Sequence, residues 1–208
     1  VVVRLGESPS QIKHLSAPAM QRGIQAMRLF RDIADRHGSA IRAVATSAVR
    51  EASNGEDFIE QVQQATGIEI EVISGFEEAR LIYLGVMQAL PVYNRRVALF
   101  DIGGGSTEFL VGERGRVSYA NSFKIGAIRM TQRFFPDERI TPGQADALRL
   151  HIRGEIYHAA QAIRASKHSL AIATSGTAQT ITAMALAARD GAAPEVLNGL
   201  RISREEVS

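Results

Sequence analysis

The stretch Val97-Ala98-Leu99-Phe100-Asp101-Ile102-Gly103-Gly104-Gly105-Ser106-Thr107-Glu108-Phe109 decides how the rest of the chain is read. Its first four residues are apolar without alternation, the pattern of a strand buried on both faces. Three glycines interrupt the run, and Thr107–Val111 resumes as a strand. Consecutive glycines let the backbone approach a ligand closely and turn N–H groups toward an anion. Ser106 and Thr107 add hydroxyls, while Asp101 and Glu108 flank the turn with carboxylates suited to Mg²⁺, which usually binds through a few carboxylates plus phosphate oxygens and water. No Gly-Lys-Ser/Thr follows and no GxGxxG is present, so Walker-type and dinucleotide loops do not fit. The plain alternative is a Gly-rich hairpin with two incidental acids.

Outward from this loop, Val117–Phe123 follows the turn residues Arg114-Gly115, and the three strands predict an antiparallel meander. A helix is predicted around Ala127–Phe135, and a long one from Pro142 to Ala165, capped by Thr141. Its apolar stripe is Ala147, Leu148, Ile152, Ile156, Ala159 and Ile163, read as core. Leu170–Thr174 then forms a strand leading into a helix from Gly176 to Ala188. Upstream, Val1–Arg4 reads as a strand, and a helix runs from Ser16 to Gly38. Ala40–Ala45 and Ile68–Ile73 read as strands, with helices ending at Gly67 and Pro91. This β-α-β-α-β-α order predicts a layered α/β domain, with a second strand-led unit restarting near Val97.

The 208 residues are 45% hydrophobic and 22% charged, which is ordinary globular composition. With no cysteine, disulfides, thiolate nucleophiles and Cys-type zinc sites are excluded. A net charge of +2 without clustering is no nucleic-acid signature. No apolar stretch approaches the ~18 residues of a membrane span, and a cytoplasmic protein is expected. The five histidines show no metal-ligand spacing. The chain opens on Val1 and ends in ISREEVS, and is expected to be a piece cut on both sides.

Three further constellations carry chemistry. Thr174-Ser175-Gly176-Thr177 joins a strand to a helix, where free N–H groups could hold an anion, although Ser and Thr are also ordinary caps. Ser74-Gly75-Phe76-Glu77-Glu78-Ala79-Arg80 opens a helix with two acids. They suit the helix dipole, but one could serve as a general base on water. In Ala45–Ala52, Arg50 offers a fork for phosphate, with a solvated arginine as the alternative.

Taken in order, ATSAVREA (45–52), ISGFEEARLIYLGV (73–86), DIGGGSTEF (101–109) and ATSGTAQT (173–180) resemble the exopolyphosphatase/guanosine pentaphosphate phosphohydrolase family. The resemblance runs the length of the chain. It implies the actin-like ATPase (sugar kinase/Hsp70/actin) fold, two ribonuclease-H-like domains around a cleft, both incomplete here. The expected division is 1–84 and 85–208. By the same resemblance Glu78 is the catalytic base, and Asp101 and Glu108 hold Mg²⁺ and position water. Gly103, Gly104, Gly105, Ser106 and Thr107 form a phosphate loop, Ser175, Gly176 and Thr177 a later one, and Arg50 contacts the phosphate chain. The implied activity is Mg²⁺-dependent release of terminal phosphate from polyphosphate, guanosine pentaphosphate, or both, the latter a reaction of the stringent response. Implied too are a homodimer when full length and, in some members, a C-terminal HD-type domain. Family members open with an Asp-Ile-Gly-Ser-Asn-Ser type loop that this sequence does not contain, so impaired activity is expected of residues 1–208 alone. The alternatives are an ATP-dependent small-molecule kinase of the same superfamily and a non-catalytic phosphate or nucleotide sensor.

Overall fold

A computed structural model describes residues 3, 5, 14–137 and 139–207. The chain divides into two compact units, residues 1–75 and 76–208, ahead of the expected 84/85 boundary. The physical reason is that the helix carrying Glu77 and Glu78 lays its apolar face on the second unit's sheet.

The first unit contains α1 (Ala17–His37), β1 (Ala43–Ala45), α2 (Ser47–Arg50), α3 (Gly55–Thr66) and β2 (Ile70–Val72). As predicted, Ser16 caps α1, its hydroxyl accepting from the Ala19 amide, and Gly38 ends it in the left-handed region. β1 and β2 pair in parallel, as a strand–helix–strand crossover requires. Both strands are shorter than the sequence pattern predicts. The expected first strand falls outside the described residues except for Val3, which has no regular structure. Met20, Ile24, Phe58, Val62 and Ile68 form the core, where α1 packs on α3.

The second unit begins with α4 (Gly75–Ala89), counted from its first residue at the junction, then β3 (Val97–Ile102), β4 (Thr107–Glu113) and β5 (Arg116–Phe123). After these come α5 (Ala127–Phe134), α6 (Pro142–Glu155), α7 (Tyr157–Ala165), β6 (Leu170–Thr174), α8 (Ser175–Asp190) and α9 (Arg204–Val207). The predicted meander is present. β3, β4 and β5 are antiparallel, β6 joins β3 in parallel, and the strand order is β5-β4-β3-β6. The expected single helix 142–165 is two helices, because the backbone leaves helical geometry at Ile156 (φ −93°, ψ 6°), just after Gly154. Of its stripe only Ala159 and Ile163, both on α7, are buried; Leu148, Ile152 and Ile156 are half-buried, and Ala147 is exposed.

Alternation along the strands gives the sheet two different faces. On one, Val97, Leu99 and Leu110 pack under Ala79, Tyr83 and Val86 of α4. On the other, Ala98, Phe109 and Val111 pack with Met130 of α5 and Ile163 of α7. Phe100, Phe109 and Phe123 form an edge-to-face series on this second face, with centroids 5.4 Å apart at each step. Such pairs add about 0.5–1.5 kcal/mol each beyond their burial. They stiffen the sheet directly beside the Asp101–Glu108 register pair.

Candidate active site

Register sets the site. Asp101 pairs with Glu108 across β3–β4, Glu108 with Ser122 across β4–β5, and Asp101 with Thr174 across β3–β6. Directly paired residues point to the same face, so four polar side chains form one transverse row at the end of the sheet. The row is bonded internally. Ser122 Oγ donates to Glu108 Oε1 at 2.6 Å, and Thr174 Oγ1 donates to Asp101 Oδ2. Glu108 is only 3% exposed, and its hydroxyl partner offsets the cost of burying a carboxylate.

The glycine loop follows β3 and is held from one side. The Gly103 carbonyl accepts from the Ala127 amide at 2.8 Å and the Gly104 carbonyl from the Arg129 amide at 3.0 Å. The Gly105 carbonyl accepts from the Gly126 amide at 3.3 Å and from Arg129 Nε at 2.7 Å. Within the loop, the Gly103 amide donates to Ser106 O. Among the described residues the amides of Gly104 and Gly105 have no partner. With the carbonyls turned toward α5, those two amides are presented on the opposite side, an arrangement suited to an anion. Ser106 and Thr107 are buried, and the Thr107 hydroxyl donates to the Ile125 carbonyl. It therefore braces the loop rather than facing outward.

Thr174 and Ser175 differ from ordinary helix caps. Thr174 makes no side-chain cap bond to α8; its hydroxyl serves Asp101. Ser175, at φ 80°, donates through Oγ to the Ile102 carbonyl at 2.6 Å. A non-glycine residue at positive φ costs about 1 kcal/mol or more, and here it ties the start of α8 to the β3 loop. Gly176 is exposed, with open space where a Cβ would stand.

The two acids of α4 are distinguished by their partners. Glu77 receives both Nε and Nη2 of Arg80 at 2.7 Å. That hydrogen bond first, and the attraction of opposite charges second, raise the Arg80 guanidinium further above its ordinary pKa. Glu78 is half-buried, and its Oε2 is fully covered. The Tyr83 ring lies where a Cβ on Gly112 would stand, and Met87 lies near Gly115 of the hairpin turn. The helix therefore runs from the polar end of the sheet toward that hairpin, which puts its first turn, with Glu78, at the same end as Asp101 and Glu108.

Arg50 lies in the first unit, half-buried, with Nη1 donating to the Ile73 carbonyl. This bond ties α2 to the end of β2. Among the described residues no group of three His, Asp or Glu converges as a ready-made metal site. Sequence reasoning missed Ser122, Gly126 and Arg129. A Cβ on Gly126 would overlap the backbone of Gly104 and Gly105, so the glycine is required by close approach. Only the Gly in KIGAIR, just after a predicted strand, hinted at this.

The Ppx/GppA phosphatase family model matches residues 1–208. The chain belongs to the Ppx/GppA phosphatase family. Membership agrees with the α/β architecture and carries the actin-like ATPase fold class with it. The chain is similar to an exopolyphosphatase from Cytophaga hutchinsonii, at 30% identity and TM-score 0.82, covering 91% of this chain and 61% of that one. An exopolyphosphatase-like protein matches at 33% identity and TM-score 0.82, covering 89% and 59%. The Aquifex aeolicus PPX-GPPA enzyme matches at 27% identity and TM-score 0.71, covering 89% and 60%. This Ppx/GppA chain thus spans less than two thirds of the length of those proteins. No helix among the described residues is long and apolar enough to cross a membrane.

Proposed function

We propose that this Ppx/GppA chain is the catalytic part of a phosphoanhydride hydrolase that releases terminal phosphate from inorganic polyphosphate, guanosine pentaphosphate, or both. The observation that carries the reading is the end of the second sheet. There Asp101 and Glu108 stand side by side next to a glycine loop whose Gly104 and Gly105 amides have no partner among the described residues. Such hydrolysis needs donors, cations and one positioned water rather than covalent chemistry.

In this reading the Gly104 and Gly105 amides bind oxygens of the terminal phosphoryl, and the Ser175–Thr177 turn binds the neighbouring phosphate. Glu78 accepts a proton from water as its oxygen bonds to phosphorus. The bond from phosphorus to the bridging oxygen breaks, and the chain leaves one phosphate shorter. The pair Asp101 and Glu108 fits Mg²⁺, which takes one or two carboxylates and completes its shell with phosphate and water. When bound, the ion neutralises charge on the phosphate oxygens. A cytoplasmic location and a homodimer of the complete protein belong to the same proposal.

The test is phosphate release by the full-length protein from polyphosphate and from guanosine pentaphosphate, with Mg²⁺ and with chelator. Mg²⁺-dependent release from at least one is expected. Release from neither, with ATP-dependent phosphorylation of an acceptor instead, would replace this reading with a kinase.

A further inference from the structure

Four hydrogen bonds from one short segment, residues 126–129, satisfy all three glycine carbonyls of the loop. Three come from backbone amides, which any sequence would supply. The fourth comes from the Arg129 side chain, and at 2.7 Å it is shorter than the 3.3 Å bond that Gly126 makes to the same Gly105 oxygen. The Gly105 peptide is therefore oriented mainly by a guanidinium. A glycine peptide has little steric preference of its own. Without that bond its carbonyl could rotate toward the side where an anion would sit, and repel it.

We propose that Arg129 is a positioning residue for the phosphate loop. It acts through the Gly105 carbonyl, holding that oxygen toward α5 and away from the side on which the Gly104 and Gly105 amides would meet a phosphoryl group. Arg129 is half-buried and can also add positive charge near the loop, so the test must separate charge from orientation. The inference rests on reading residues 103–107 as a phosphate loop.

The experiment measures calorimetric binding of inorganic tripolyphosphate to the full-length protein, with hydrogen exchange of the 102–107 segment. Arg129→Ala is expected to weaken binding about tenfold or more, the scale of one charge-assisted hydrogen bond. Exchange should speed up in the loop while β3 and β4 stay protected. Arg129→Lys keeps the charge but not the Nε donor and should recover only part of the affinity. Arg129→Met keeps the stem packing and should behave like alanine, which covers an alanine variant that fails to fold. Wild-type affinity in Arg129→Met, or full recovery with lysine, would overturn the orienting role while leaving the phosphate loop intact. A wild-type protein that binds no tripolyphosphate would overturn both.

Discussion

Asp101 and Glu108 face each other across β3 and β4, and each is held by a hydroxyl from its outer strand, Thr174 for Asp101 and Ser122 for Glu108. The carboxylates are thus oriented before any ligand arrives. Preorganisation of this kind lets charged groups act on a ligand without first reorganising.

Removing either hydroxyl should loosen that arrangement. Ser122→Ala leaves the buried Glu108 one donor short, and a stability loss of about 1–3 kcal/mol is expected in denaturant unfolding. If Glu108 holds Mg²⁺, the Mg²⁺ concentration for half-maximal phosphate release should rise about tenfold or more. Thr174→Val should act in the same direction through Asp101.

Two glycines near the site should behave oppositely. Gly126→Ala forces a methyl into the backbone of Gly104 and Gly105, and a loss of at least about 1–3 kcal/mol is expected. Gly176→Ala meets nothing within 4 Å, so its thermal midpoint should stay close to the wild type. A raised KM in Gly176→Ala with unchanged stability would mark the turn as a point of substrate approach.

Much of this site was legible in the sequence, and the part that was not depends on long-range register. The buried strand and glycine break at 97–108 announced themselves through local chemistry, as did the capped helix starts at Ser16 and Thr141. Ser122 gave no local signal, because its meaning depends on standing opposite Glu108, 14 residues away. Thr174 looked like a cap, since strand-to-helix junctions favour threonine. Its bond to Asp101 exists only because β6 inserts beside β3. The helix break at Ile156 was hidden by an apolar stripe that continues in phase across it.

The docking of α4 can be tested on its own. A Cβ on Gly112 would stand 2.6 Å from the Tyr83 ring, and both residues are far from the polar row. Gly112→Ala should cost about 1–3 kcal/mol, and Tyr83→Leu in the same chain should restore part of it. Additive losses would mean the helix does not press on that strand. Burial also raises the Tyr83 hydroxyl above its ordinary pKa. The unfolded chain then loses this proton first, so stability should fall as pH rises past about 10, and less steeply in Tyr83→Phe.

The most direct measurement is phosphate release from polyphosphate and guanosine pentaphosphate by the full-length protein carrying Glu78→Gln or Glu77→Gln. The adjacent acids share a helix turn, but Glu77 is engaged by the Arg80 fork, while Glu78 is the proposed base. Glu78→Gln is expected to lower turnover about a hundredfold or more with substrate binding retained, and Glu77→Gln to change it only a few-fold. Equal effects of the two changes, or undiminished turnover in Glu78→Gln, would contradict the account.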